Sequence, residues 1–229
     1  MVKILDVSGF VTGIVLLACA VAFAAGGGAS VLTPDAALQR LVEGNKRFVK
    51  SHITHRALTI KETREELARG QKPYAIILSC SDSRVPPEIV FDETLGQLFV
   101  IRVAGNILDP VVLGSIEYAV EHLDPTLIMV LGHEACGAVT AAYDATGKPE
   151  GNVGAVIDPI LPAAQKAKDT MKGQSRVKQV EMAIDLNIDL VAEGLTIQSS
   201  VVNGYVERGT LKIVKGKYHL RHGDVTLLR

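Results

Sequence analysis

The stretch Cys80-Ser81-Asp82-Ser83-Arg84 follows directly on an apolar run, Tyr74-Ala75-Ile76-Ile77-Leu78, which predicts a buried β-strand. A second apolar run, Leu127-Ile128-Met129-Val130-Leu131, leads into His133-Glu134-Ala135-Cys136. Strands that alternate with helices along a chain form parallel sheets, and ligands bind beyond the carboxyl ends of such strands. The sequence therefore predicts an α/β fold with a central, mostly parallel β-sheet flanked by helices, and a site at one edge of that sheet.

Cys80, His133 and Cys136 have the chemistry of a metal site. Thiolates and imidazoles are preferred zinc ligands, and three protein ligands leave a fourth position for water, as in catalytic rather than structural zinc sites. A disulfide between Cys80 and Cys136 is the alternative, because two cysteines in an exported protein often pair, and the N-terminus considered below predicts export. The histidine before Cys136 and the Asp-x-Arg after Cys80 favour zinc, because a disulfide requires neither.

Asp82 and Arg84 stand at a spacing that permits a bidentate ion pair. Held by Arg84, Asp82 would stay off the metal and accept a hydrogen bond from metal-bound water. Released by Arg84, it could displace that water and close the site. The sequence leaves the resting state open, and a purely structural salt bridge is the alternative.

The overall charge argues against a nucleic-acid partner. The chain has 229 residues, with 24 Lys and Arg against 25 Asp and Glu, and a net charge of −1. A nucleic-acid-binding domain is usually strongly basic on one face, and this composition gives no sign of such a surface. The length suits a single medium-sized domain with a substantial core.

The N-terminus has a different composition from the rest of the chain. No charged residue occurs over residues 7–34, and an apolar run covers about residues 10–25. Ala22-Phe23-Ala24 fits a small-x-small cleavage site, so we expect residues 1–24 to be an export signal and the mature protein to be periplasmic. An uncleaved membrane anchor and a lipoprotein leader acylated at Cys19 are the alternatives. Membrane contact is expected only in those two cases.

The remaining chain divides into two parts. Thr33-Pro34-Asp35 is a helix start, and residues 25–70 are predicted to form an N-terminal helical arm that packs on its own domain or on a partner subunit. Residues 71–229 are predicted to be the zinc-binding α/β domain. Near the C-terminus the pattern predicts one long helix over about residues 176–203, then short strands joined at glycines such as Gly216.

These motifs together resemble the β-class carbonic anhydrases, from about Leu38 to the C-terminus. The motifs that carry the resemblance are Gly44-Asn45-Lys46-Arg47-Phe48, Gly70-Gln71-Lys72-Pro73, Cys80 to Arg84, Leu98 to Asn106 and Gly132 to Gly137. The resemblance implies an enzyme with one Zn²⁺ per subunit that interconverts carbon dioxide and bicarbonate through zinc-bound hydroxide. It also implies a homodimer or a higher homo-oligomer, with the first helix lying over the neighbour.

The resemblance assigns a role to each matching position. Cys80, His133 and Cys136 would hold the metal, and Asp82 and Arg84 would form the catalytic dyad. The implied substrate-binding positions are Gln71, Phe99, Ala104 and Gly137. Glu134 departs from the small polar residue that many members have there. A carbon disulfide or carbonyl sulfide hydrolase and a zinc-binding protein without turnover are the competing interpretations.

Overall fold

The sheet has the predicted parallel arrangement at its centre. The computed structural model describes residues 32–54, 61–147 and 149–229, and the predicted leader with Cys19 lies outside them. Within the described residues, five strands form one sheet in the order β2-β1-β3-β4-β5. Their bounds are β1 Ala75–Ser79, β2 Leu98–Arg102, β3 Leu127–His133, β4 Lys212–Tyr218 and β5 Val225–Leu228. Strands β1 to β4 pair in parallel and β5 is antiparallel to β4, which confirms the mostly parallel sheet.

Helices cover both faces of the sheet. Their bounds are α1 Pro34–Val49, α2 Lys61–Leu67, α3 Pro87–Val90, α4 Pro110–His122, α5 Gly137–Asp144, α6 Gly154–Ile157, α7 Leu161–Thr170, α8 Arg176–Gln198 and α9 Ser200–Glu207. Among the helices in the described ranges, none has the length and apolar character that a membrane crossing demands.

The central strands β1 and β3 are buried on both faces, which accounts for their uninterrupted apolar sequences. Every residue of β1 and β3 is buried, because helices pack on both faces of the sheet. Ile76 and Val130 point into a core shared with α4, α5, α7 and α8. Ile77 and Met129 point into a second core, to which α1 contributes Leu41. The carboxyl ends of β1 and β3 are therefore fixed side by side.

Helix α1 packs on its own domain, one of the two alternatives that the sequence left open. Arg40 on its partly exposed face donates to both carboxylate oxygens of Glu93, at 2.7 and 2.6 Å. The Glu93 side chain is fully buried and also accepts from the Tyr74 hydroxyl at 2.7 Å. A buried carboxylate needs such partners to offset its desolvation. The ion pair therefore ties α1 to the segment before β2.

Two sequence predictions near the C-terminus are wrong. The long helix over residues 176–203 is interrupted at Ser199, whose extended backbone ends α8 and begins α9. The Ser199 hydroxyl donates to Glu117 at 2.6 Å and accepts from the amide of Val202 at 3.1 Å, so it caps the new helix. Gly216 does not join two strands but lies inside β4, where a Cβ would come within 3.3 Å of Met129 Sδ.

Candidate metal centre

The three predicted ligands meet at the carboxyl ends of neighbouring strands. Cys80 follows β1, His133 is the last residue of β3, and Cys136 precedes α5. Because β1 and β3 are adjacent and parallel, their ends bring these side chains together. The three ligand atoms lie within 4.8 Å of one another, and all three residues are buried. This cluster is the one that the sequence predicted.

The donor set fits a zinc ion. The two Sγ atoms are 4.0 Å apart and both thiols are free, so the disulfide alternative is not realised. Two sulfurs on a tetrahedral zinc would be about 3.8 Å apart, given Zn–S bonds of roughly 2.3 Å. His133 Nδ1 lies 2.9 Å from the carbonyl oxygen of Glu134, which favours a proton on Nδ1. His133 Nε2 is buried without a hydrogen-bond partner, as expected for a nitrogen that serves as a metal ligand.

The cluster also favours a thiolate before any metal arrives. The hydrogen bond with Cys136 lowers the pKa of the Cys80 thiol, and contacts with His133 and the Gly105 amide act in the same direction against the opposing effect of burial. That shared hydrogen bond and burial raise the pKa of Cys136. A metal would replace the proton that the two sulfurs share, so metal affinity must rise with pH.

Gly105 and Arg102 support the first ligand. The Gly105 amide donates to Cys80 Sγ at 3.3 Å, from a left-handed conformation with φ 69°. A Cβ on Gly105 would stand 2.6 Å from Ile160 Cδ1, so glycine is required there. Arg102 donates to the carbonyl oxygens of Cys80 at 3.1 Å and Asp82 at 2.6 Å. Both residues lie in the motif from Leu98 to Asn106, but its sequence did not indicate these two roles.

Asp82 and Arg84 form the ion pair that their spacing predicted. Arg84 Nε and Nη2 donate to the two carboxylate oxygens at 2.9 and 2.7 Å, and the Arg84 amide also donates to Oδ1 at 3.0 Å. These hydrogen bonds, the side-chain pair first, hold the pKa of Asp82 well below its usual range. Asp82 Oδ2 lies 3.9 Å from His133 Nε2. The carboxylate thus remains ionised, faces the cluster and is bound to arginine.

The predicted substrate-binding residues are placed in two different regions. Ala104 begins the turn that contains Gly105, and Gly137 begins α5 directly after Cys136. Phe99 is half-buried in β2 and packs against the core that includes Cys80. Gln71 is not brought to the cluster within this chain. It is exposed and lines a separate cavity beside α2, together with Arg64, Leu67, Ala68, Arg69, Gly70, Leu95 and Gly96.

Comparisons with known proteins agree with this geometry. The family model described as "Carbonic anhydrase" matches residues 75–225. The chain is 41% identical to carbonic anhydrase 2 of Mycobacterium tuberculosis, over 85% of this chain and 92% of that protein. It is 39% identical to a carbonic anhydrase of Mycolicibacterium smegmatis, over 85% and 93% of the two chains. The solved β-carbonic anhydrase of Coccomyxa is similar in structure, with a TM-score of 0.69, 26% identity and coverage of 83% and 86%.

Proposed function

Because this chain belongs to the β-class carbonic anhydrase family, we propose that it catalyses the reversible hydration of carbon dioxide to bicarbonate and a proton. The observation that carries the proposal is the buried cluster of Cys80, His133 and Cys136, with the Asp82–Arg84 pair beside it. The three ligand atoms would hold one zinc ion per chain. Zinc in such a site supplies a Lewis acid that activates water for attack on carbon dioxide.

Asp82 has the role of orienting the attacking water. An ionised carboxylate can only accept hydrogen bonds, and Arg84 fixes both of its oxygens in place. The water would donate to the carboxylate and direct its lone pair toward the substrate carbon. Arg84 would also keep Asp82 from becoming a metal ligand, so the ion-paired arrangement would be the catalytically open one.

Ala104, in the turn whose Gly105 amide contacts Cys80, would line the apolar substrate pocket, whereas Phe99 is level with Ile76 in the sheet and would reach such a pocket only from a neighbouring chain. Carbon dioxide has no net dipole, so half-buried apolar side chains suit it better than charged ones. The backbone N–H of Gly137, at the start of α5, would be a donor for the bicarbonate product. Gln71 is remote from the cluster within one chain, so we assign its contact with substrate to an assembled oligomer.

We propose that the enzyme is a homodimer or a higher homo-oligomer that pairs through β2. This strand is at the edge of the sheet, and its Phe99, Val100 and Ile101 are only half-buried. An exposed apolar edge strand favours pairing with another strand unless something covers it. Light scattering on the purified protein should give at least twice the mass of the chain as mass spectrometry finds it, which is 24.4 kDa if the chain is full-length. A monomer at micromolar concentration would contradict this proposal.

We also propose that residues 1–24 direct export to the periplasm. The support is the uncharged apolar run followed by Ala22-Phe23-Ala24. Mass spectrometry of the protein recovered from the cell should find an N-terminus near Ala25. An intact Met1 in a membrane fraction would instead indicate an anchor, and an acylated N-terminal Cys19 would indicate a lipoprotein.

The substrate is tested by stopped-flow hydration of carbon dioxide in parallel with hydrolysis of carbonyl sulfide. The zinc-loaded protein is compared with a Cys80→Ser variant, which lacks one ligand. Carbon dioxide hydration by the wild type alone supports the proposed function. Hydrolysis of carbonyl sulfide without carbon dioxide hydration would indicate a sulfur-substrate hydrolase instead. Zinc binding without either reaction would indicate a zinc-binding protein without turnover.

A further inference from the structure

The turn between His133 and Cys136 contains two of the three metal ligands and has little regular structure of its own. Ala135 at its centre is in the left-handed region, with φ 52°. A non-glycine residue costs roughly 1–2 kcal/mol in that conformation, so surrounding contacts must maintain it. The Ala135 amide donates to Glu181 Oε1 at 3.0 Å. Glu181 is on α8, so a helix remote in sequence holds the middle of this turn.

The second carboxylate oxygen of Glu181 is fixed from β4. Lys217 Nζ lies 2.7 Å from Glu181 Oε2 and 2.9 Å from Asp185 Oδ1. The Lys217 side chain is only 9% exposed, and an ammonium group so buried requires carboxylate partners. One oxygen of Glu181 therefore faces the turn between His133 and Cys136, called the metal turn below. The other oxygen is held by a lysine that cannot readily move into solvent.

We propose that Glu181, oriented by Lys217, is a positioning residue for the metal centre. It holds the Ala135 amide, and through that amide it sets the relative placement of His133 and Cys136. The inference rests on the proposed function only in taking zinc as the metal. It concerns how tightly zinc is held, so it is tested by metal affinity, independently of whether carbon dioxide is the substrate.

The first test compares Glu181→Ala with a matched control on the same helix. Asp189 also pairs with a β4 lysine, Lys215, at 2.8 Å, but no contact joins it to the metal turn among the described residues. Zinc affinity of each variant is measured by competition with a chromophoric chelator. Loss of an outer contact to a metal site typically weakens metal affinity by roughly 10–100-fold. We expect such a loss for Glu181→Ala and an unchanged affinity for Asp189→Ala.

A double variant tests the hydrogen bond itself. Glutamine at position 181 has one oxygen, for which Lys217 and the Ala135 amide would compete. Glu181→Gln alone should therefore weaken zinc binding. Adding Lys217→Met removes the competing lysine, so the side-chain oxygen at position 181 can accept the hydrogen bond from the Ala135 amide. We expect the double variant to recover zinc affinity to within about threefold of the wild type, since the outer contact is restored.

The visible spectrum of the cobalt-substituted protein gives a readout of ligand geometry. We expect the d–d bands of Glu181→Ala to move and those of Asp189→Ala to match the wild type. The proposal is overturned if Glu181→Ala binds zinc within twofold of the wild type, or if Asp189→Ala weakens binding equally. It is also overturned if the double variant is as weak as Glu181→Ala. If Glu181→Ala does not fold, the double variant and its cobalt spectrum decide the question.

Discussion

Arg84 holds both carboxylate oxygens of Asp82, with Nε 2.9 Å from Oδ1 and Nη2 2.7 Å from Oδ2. The same carboxylate lies 3.9 Å from Nε2 of His133, the ligand atom that has no hydrogen-bond partner. Asp82 is thus close enough to act on a water in the site, while the arginine prevents it from becoming a ligand. We therefore propose that the reactivity of the centre depends on this pair.

Removal of Arg84 should impair catalysis through Asp82. In Arg84→Ala the carboxylate is free to rotate toward the metal, and it no longer orients the water. We expect kcat/KM for carbon dioxide hydration to fall by roughly 10²-fold, the lower range for loss of a positioned acid–base group. Arg176→Ala, which removes another bidentate arginine–carboxylate pair with Asp144, is the matched control. Equal rates for wild type and Arg84→Ala would contradict the role of the pair.

The Asp82–Arg84 pair should also contribute to stability in a pH-dependent manner. Because Arg84 lowers the pKa of Asp82 in the folded state, the contribution is fully present above the unfolded value of about 3.9. It is lost progressively as the pH falls toward the folded value. Thermal melts of metal-free wild type and Asp82→Asn should therefore differ most near pH 6, and the difference should shrink from pH 4 to pH 2. A difference that is constant over this range would argue against the shifted pKa.

Gly44 allows α1 to approach the segment after α3. A Cβ on Gly44 would lie 1.8 Å from the carbonyl oxygen of Phe91, a backbone atom. Gly44→Ala should therefore destabilise the protein by roughly 1–3 kcal/mol or more, as overpacking does. Gly114 in α4 has open space around its Cβ position, so Gly114→Ala should be stabilising by about 0.5–1 kcal/mol. Urea unfolding measures both, and destabilisation by the two variants alike would refute the packing argument.

Asn45 joins α1 to two other segments through hydrogen bonds made inside the protein. Its Nδ2 donates to the carbonyl oxygens of Val90 at 3.1 Å and Gly223 at 2.8 Å, and its Oδ1 accepts from the Val225 amide at 2.9 Å. Asn45→Asp keeps the shape but removes both donors and places a charge against two carbonyls. We expect a loss of about 2–4 kcal/mol in the free energy of unfolding.

The exposed Asn152 provides the control for that substitution. Asn152→Asp changes the net charge by the same amount without touching a buried hydrogen bond, so its urea midpoint should stay within error of the wild type. If Asn45→Asp behaved like Asn152→Asp, the three hydrogen bonds of Asn45 would not be stabilising.

Local signals were sufficient to predict the metal centre. Cys80 and His133 lie directly at the ends of strands that are buried on both faces. The apolar runs therefore predicted the two strands, and the ends of those strands predicted where the ligands meet. Asp82 and Arg84 are two residues apart, and this spacing alone predicted that they could pair. The central sheet and its site therefore followed from residues that are near one another in the chain.

Features that depend on distant partners were not predictable. The break between α8 and α9 rests on a hydrogen bond from Ser199 to Glu117, which is 82 residues away. Glu181 contacts the metal turn across 46 residues, and nothing in the local pattern of α8 distinguishes it from other surface acids. Gln71 was assigned to the pocket by resemblance, while its place in the single chain is a cavity beside α2.

We propose that Cys80, His133 and Cys136 together hold the zinc ion that supports carbon dioxide hydration. The most direct measurement is a zinc titration of the metal-free protein, with bound metal and stopped-flow hydration rate recorded on the same samples. We predict that the rate rises in proportion to bound zinc and stops rising at one ion per chain, and that Cys136→Ser shows neither binding nor rate. Binding of one zinc per chain without acceleration of hydration would contradict this role of the three ligands.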